Sequence, residues 1–119
     1  MGTEDVPGNA GVRDQVMALT WIQENIREFG GDPDLVTVNG ESAGSCSSTY
    51  HLMSPLSRGL VRRAILQSGP GGFSPSYHHF PASRAKKYGE LAAVELGCLS
   101  TDMAEVAACM REAPVINLL

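Results

Sequence analysis

From Val12 the apolar positions recur at Val12, Val16, Leu19, Ile22, Ile26 and Phe29. Steps of three and four place them along one side of a helix. Arg13, Asp14, Gln15, Gln23, Glu24, Arg27 and Glu28 supply most of the polar side. Gly30-Gly31 follows, where a left-handed cap fits, and Pro33 prevents continuation. The pattern then changes. Leu35-Val36-Thr37-Val38 is short, β-branched and almost without polar interruption, which predicts a strand buried on both faces.

Gly40-Glu41-Ser42-Ala43-Gly44 turns the chain, and Ser45 to Met53 predicts a helix that Pro55 ends. Leu56 to Leu60 reads as a short turn or helix, and Arg63 to Gln67 as a second strand. The loop after it carries five Gly or Pro between Gly69 and Pro75. Pro81 opens a helix reaching about Leu96, with Ala82, Ala85, Tyr88, Leu91, Ala92 and Leu96 on its apolar face, and Gly97 closes it. Thr101 is expected to cap a last helix running to about Arg111, which Pro114 stops. Strands separated by helical crossovers imply parallel pairing, hence an α/β layer.

Composition narrows the function class. The 119 residues fit one small domain or a piece of a larger one. With 43% apolar and 18% charged residues the chain reads as globular. The net charge of -4, with acids and bases interspersed, gives no footprint for nucleic-acid binding. Arg62-Arg63 and Lys86-Lys87 are isolated basic pairs and read as solvated faces. No apolar run approaches the roughly 20 residues of a membrane span, and the polar start after Met1 is not a signal peptide. Cys46, Cys98 and Cys109 show neither a CxxC nor zinc-ligand spacing, and neither functional reading given below implies a metal or an organic cofactor.

Ser42 carries the chemistry. A G-x-S-x-G between a strand and a helix is a nucleophile elbow. The turn strains the serine backbone and points its hydroxyl outward. Close passage of neighbouring chain is expected to exclude side chains at Gly40 and Gly44. The helix beyond contributes unpaired N–H groups and the positive end of its dipole, so the Ala43 N–H can donate to an oxyanion. The bland alternative is a Gly-flanked turn serine.

Two stretches make the pattern more specific: GNAGVRDQVMALTWIQENIREFGGDPDLVTVNGESAG and LMSPLSRGLVRRAILQSG, running almost unbroken from Gly8 to Gly69. They resemble the type-B carboxylesterase/cholinesterase family, and the rest matches more loosely through ELGC and VAACMR. The resemblance implies a partial α/β-hydrolase fold and a carboxylic ester hydrolase acting on a small-molecule ester. By position Ser42 matches the acylated nucleophile and Ala43 the oxyanion donor. Glu41 matches the acidic residue beside the nucleophile, with Gly40 and Gly44 as the elbow's supports. The ELGC and VAACMR match implies a disulfide between Cys98 and Cys109, and with it a secreted or endoplasmic-reticulum parent. Phe73, in the loop after QSG, is a candidate for the acyl pocket; Tyr77 and Phe80 share that loop. The loop lacks the aromatic pattern of an acetylcholinesterase, so choline esters are not supported. A non-catalytic cholinesterase-like interaction module is the alternative reading, although neuroligin-like members generally lack the serine that this chain keeps.

The rest of the triad is not met in order. The fold family runs Ser, then Asp or Glu, then His. The first acid after Ser42 is Glu90, and no histidine follows it. His51 lies about two helical turns past the elbow on a helix leading away, so it reads as structural. His78 and His79 lie in a polar loop and do not read as the base. Cys46 reads as a small buried core residue. The resemblance also places the HGGG-type oxyanion glycines ahead of Gly8, and the acid and histidine after Leu119. The expectation is therefore an internal fragment, with Met1 readable as a chance start, that is inactive and aggregation-prone alone.

Overall fold

The computed structural model describes residues 6–69 and 81–118. The chain divides into two units: one spans residues 9–79, the other residues 80–119 together with the first eight. Phe73, Tyr77, His78, His79 and Phe80 lie outside the described residues.

In the first unit, helix α1 spans Ala10–Asn25 and tightens into a 3-10 turn over Ile26–Phe29. Gly30 ends it at φ 80°, the left-handed conformation glycine adopts without a Cβ penalty. Leu19 is the buried centre of the apolar stripe. Phe29, expected on that stripe, is instead 73% exposed and lies 5.9 Å from the Trp21 ring. The 3-10 turn explains this: at three residues per turn it rotates Phe29 off the line that 3.6 would maintain.

Strand β1 runs Thr37–Glu41, later than the expected Leu35–Val38. Asp32 Oδ1 accepts from the Asp34 amide and Pro33 fixes the next φ, so Pro33–Leu35 closes a 3-10 turn and leaves Leu35 exposed. The ladder then continues through Gly40 and Glu41, because β1 pairs in parallel with β2, Arg63–Gln67, from Thr37↔Arg63 to Glu41↔Gln67. Among the described residues neither strand is buried on both faces: each alternates exposed and half-buried positions.

Helix α2, Ala43–Met53, packs across both strands. It starts two residues before the expected Ser45, because the turn is completed by Ser42 alone. Ser54 Oγ then accepts from the Leu56 amide, capping a 3-10 turn over Pro55–Ser57. Gln23 of α1 ties this frame together. Its Nε2 donates to the carbonyls of Pro33, at 2.8 Å, and Leu60, at 3.0 Å, in the connections that precede the two strands.

The second unit is a pair of helices. Helix α3 spans Ala82–Glu95, and Gly97 turns the chain at φ 70°. Its buried face centres on Ala93, with Leu96 packed beside it, while Tyr88 and Leu91 of the expected face are exposed. Helix α4 spans Met103–Glu112 and is capped by Asp102, whose Oδ1 accepts from the Ala104 amide, rather than by Thr101. Ser100 favours that register: its hydroxyl accepts from the Asp102 amide and donates to Glu105 Oε2. Ala93, Cys98 and Val106 form a small core with Leu96, Met103 and Met110. A disulfide joins Cys98 to Cys109, with Cα atoms 5.6 Å apart, within the usual span of such bonds.

Candidate active site

Ser42 stands between the last residue of β1 and the first of α2, at φ 53° and ψ -118°. A serine rarely adopts positive φ, and holding it there costs on the order of 1–3 kcal/mol. Three backbone bonds impose the conformation. The Ser42 amide donates to the Gln67 carbonyl at 3.0 Å, extending the β1–β2 ladder one step past its last pair. The Ser42 carbonyl accepts from the Ser45 and Cys46 amides at 3.0 and 3.1 Å, which begins α2. One residue thus ends a strand and starts a helix, which requires the sharp reversal.

The glycines on either side differ. A Cβ at Gly40 would overlap the backbone of Gly44 and Ser45, so only glycine lets α2 cross β1 this closely. Gly44 behaves otherwise: a Cβ there meets no atom within 4 Å among the described residues. The expected exclusion of side chains therefore holds at Gly40 and not at Gly44. Gly44 instead borders an open groove of about 350 Å³ between α1, β1 and α2.

Ala43 is the exposed first residue of α2. The hydrogen bonds of α2 begin with the Ser45 amide, so the Ala43 N–H belongs to the orphan donors of a helix N-terminus. Glu41 ends β1 on the exposed side, adjacent to Ser42.

A second serine at positive φ follows β2, which the sequence did not reveal. The register that sets Glu41 against Gln67 carries Ser42 and Ser68 past the two strand ends at the same level. Ser68 also has positive φ, at 55°. The buried Gly69 beyond it accepts from Cys46 Sγ at 3.2 Å, which pins this segment against α2. Cys46 is a free, buried thiol with a structural hydrogen bond, in keeping with its reading as a core residue. The Ser68-Gly69 pair was the available signal, though a single serine after a strand is too common to single out.

His51 is not brought to Ser42. Its Nδ1 lies 2.8 Å from Ser57 Oγ and its Nε2 2.8 Å from Gln15 Oε1. Only 5% of the residue is exposed, and burial lowers its pKa from the usual 6.5. It is a neutral structural histidine, as its place on α2 suggested. Ser45, one turn into α2, is fully buried, and its hydroxyl has no partner among the described residues. Also among the described residues, no group of three metal-ligating side chains occurs, and no helix is long and apolar enough to cross a membrane.

This geometry places Ser42 in a strained turn beside the free amide donors of a helix N-terminus. The sequence comparisons agree with it. The profile of the carboxylesterase family matches residues 1–119. Cholinesterase 2 of Branchiostoma lanceolatum is 43% identical over 99% of this chain and 35% of its own length. Esterase FE4 of Myzus persicae is 46% identical over 92% of the chain and 19% of its own length. The bile salt-activated lipase of Rattus norvegicus is 43% identical over 92% of the chain and 17% of its own length. The chain thus spans about a third or less of the length of these relatives. With the family profile matched from end to end and a serine held in the strained turn between parallel strand and helix, the chain belongs to the carboxylesterase family.

Proposed function

We propose that these residues are the nucleophile segment of a serine carboxylic ester hydrolase, and that Ser42 forms the acyl-enzyme. The observation that carries this reading is the Ser42 backbone, at φ 53°, locked by the Gln67 carbonyl on one side and the α2 amides on the other. Strain of this kind persists only where the surroundings over-determine it, and it concentrates at functional sites.

In the proposed reaction the Ser42 oxygen attacks the ester carbonyl carbon, and a general base takes the hydroxyl proton. The Ala43 N–H stabilises the negative charge that develops on the carbonyl oxygen. The alcohol leaves with a proton returned by that base, and water then hydrolyses the acyl-serine. The base and its orienting acid come from outside these residues, because no Asp or Glu followed by His occurs after Ser42. The resident histidine of α2 is engaged by Gln15 and Ser57 instead. Glu41 is proposed to face the incoming histidine, and Phe73 to border the acyl side of the substrate. The 119 residues alone are then inactive, and their half-covered strands make them aggregation-prone. An oxidising compartment for the parent is supported by the Cys98–Cys109 bond.

The test is labelling by a fluorophosphonate. In a protein carrying these residues within a whole family domain, peptide mapping should place one label on Ser42, and aryl-ester turnover should vanish in Ser42→Ala. Turnover that survives in Ser42→Ala would refute the nucleophile assignment. Stoichiometric labelling with turnover by the 119-residue chain would refute the assignment of the base to an outside segment. The alternative, a non-catalytic interaction module, predicts no label in either protein.

A further inference from the structure

His51 joins three elements through its ring. Gln15 lies on α1, His51 on α2 and Ser57 in the Pro55–Ser57 turn that follows. With the Gln15 amide oxygen as acceptor, Nε2 carries the hydrogen, and Nδ1 accepts from the Ser57 hydroxyl. His51 and Ser57 are 5% and 2% exposed. We propose that the Gln15–His51–Ser57 chain is a pH-sensitive clamp that docks α2 onto α1 and releases it on acidification.

A proton added at Nδ1 would force the Ser57 hydroxyl to turn from donor to acceptor. Its own hydrogen would then need a new acceptor at a buried position, and the imidazolium would be left without a counter-charge. The groove beside the ring offers none. α1 presents Gln15, Ala18 and Leu19 to the shared groove and β1 presents Val38 and Asn39, while the groove-lining residues of α2 other than His51 are glycine and serine. None is charged, and burial is the one resolved cause of the lowered pKa. The sign follows from that direction. The unfolded chain takes up the proton at the usual 6.5, above the folded value. The clamp therefore contributes fully above that pH and weakens as pH falls through 6.5 toward the folded value.

The clamp rests on the packing of one unit and not on the esterase reading, so its readout is amide exchange rather than turnover. Exchange protection across α2 would be measured in dilute 119-residue chain at about pH 7.5 and about pH 5.5, either side of the ordinary histidine range, and corrected for intrinsic exchange. Protection should fall at the lower pH in the native chain, and this fall should be lost in His51→Gln, which cannot take the proton. Gln15→Glu, which sets a carboxylate against Nε2, should shrink it. A pH dependence unchanged in His51→Gln would overturn the proposal. If His51→Gln does not fold, nitrogen-15 spectra of the native imidazole decide. A neutral ring protonated at Nε2 and titrating below 6.5 supports the clamp, and titration at or above 6.5 overturns it.

Discussion

The Ser42 amide donates to the Gln67 carbonyl, 3.0 Å away, although Ser42 is no longer in a strand. This bond extends the parallel ladder past Glu41↔Gln67 and holds the chain while it reverses into α2. The neighbouring strand thereby fixes the backbone of the proposed nucleophile, and both strand ends carry a serine at positive φ.

The strain at Ser42 should be measurable. Ser42→Gly removes the Cβ penalty at φ 53° while leaving the backbone bonds in place. It should abolish phosphonate labelling in a complete domain and raise unfolding stability by about 1 kcal/mol in urea titration. Unchanged or lower stability would show that the turn is not strained.

Gly40 and Gly44 should respond differently to the same substitution. Gly40→Ala drives a methyl into the backbone of Gly44 and Ser45 and should cost about 2–3 kcal/mol. Gly44→Ala meets open space within the first turn of α2 and should be neutral or stabilising by up to about 1 kcal/mol in this chain. Urea midpoints of the two variants make the comparison.

Ser45 should be better replaced. Its hydroxyl is buried without a partner among the described residues, and desolvating such a group costs about 1–3 kcal/mol. Ser45→Ala keeps the helix, removes the orphan group, and should raise the urea midpoint. A fall would reveal a hydrogen bond outside the described residues.

The Cys98–Cys109 bond closes a short loop and contributes about 3 kcal/mol in the chain-entropy model. Alkylation in denaturant without reductant should add one group, at Cys46, and after reduction three. Reduction should lower exchange protection in α3 and α4. Two or three groups added before reduction would contradict the pairing.

Local sequence determined a good deal here. The three-and-four spacing from Val12 located α1, Gly30 its end, and Arg63–Gln67 the second strand with its limits. These depend on side-chain periodicity and on glycine or proline backbone preferences, which are encoded within a few residues. The elbow motif and the length of the match also pointed to the family, and the proposal for Ser42 and Ala43 rests on them. The misplaced features depend on partners far along the chain. β1 lies later than its apolar run because its register is set by pairing with β2, and α4 begins at Asp102 because Ser100 and Glu105 close around that register. His51 could be read as structural, but not that Gln15, 36 residues away, would bond its ring. Gly44 looked as constrained as Gly40 in the motif. Only the crossing of α2 over β1 separates them, because it brings backbone against one glycine and leaves the other facing open space.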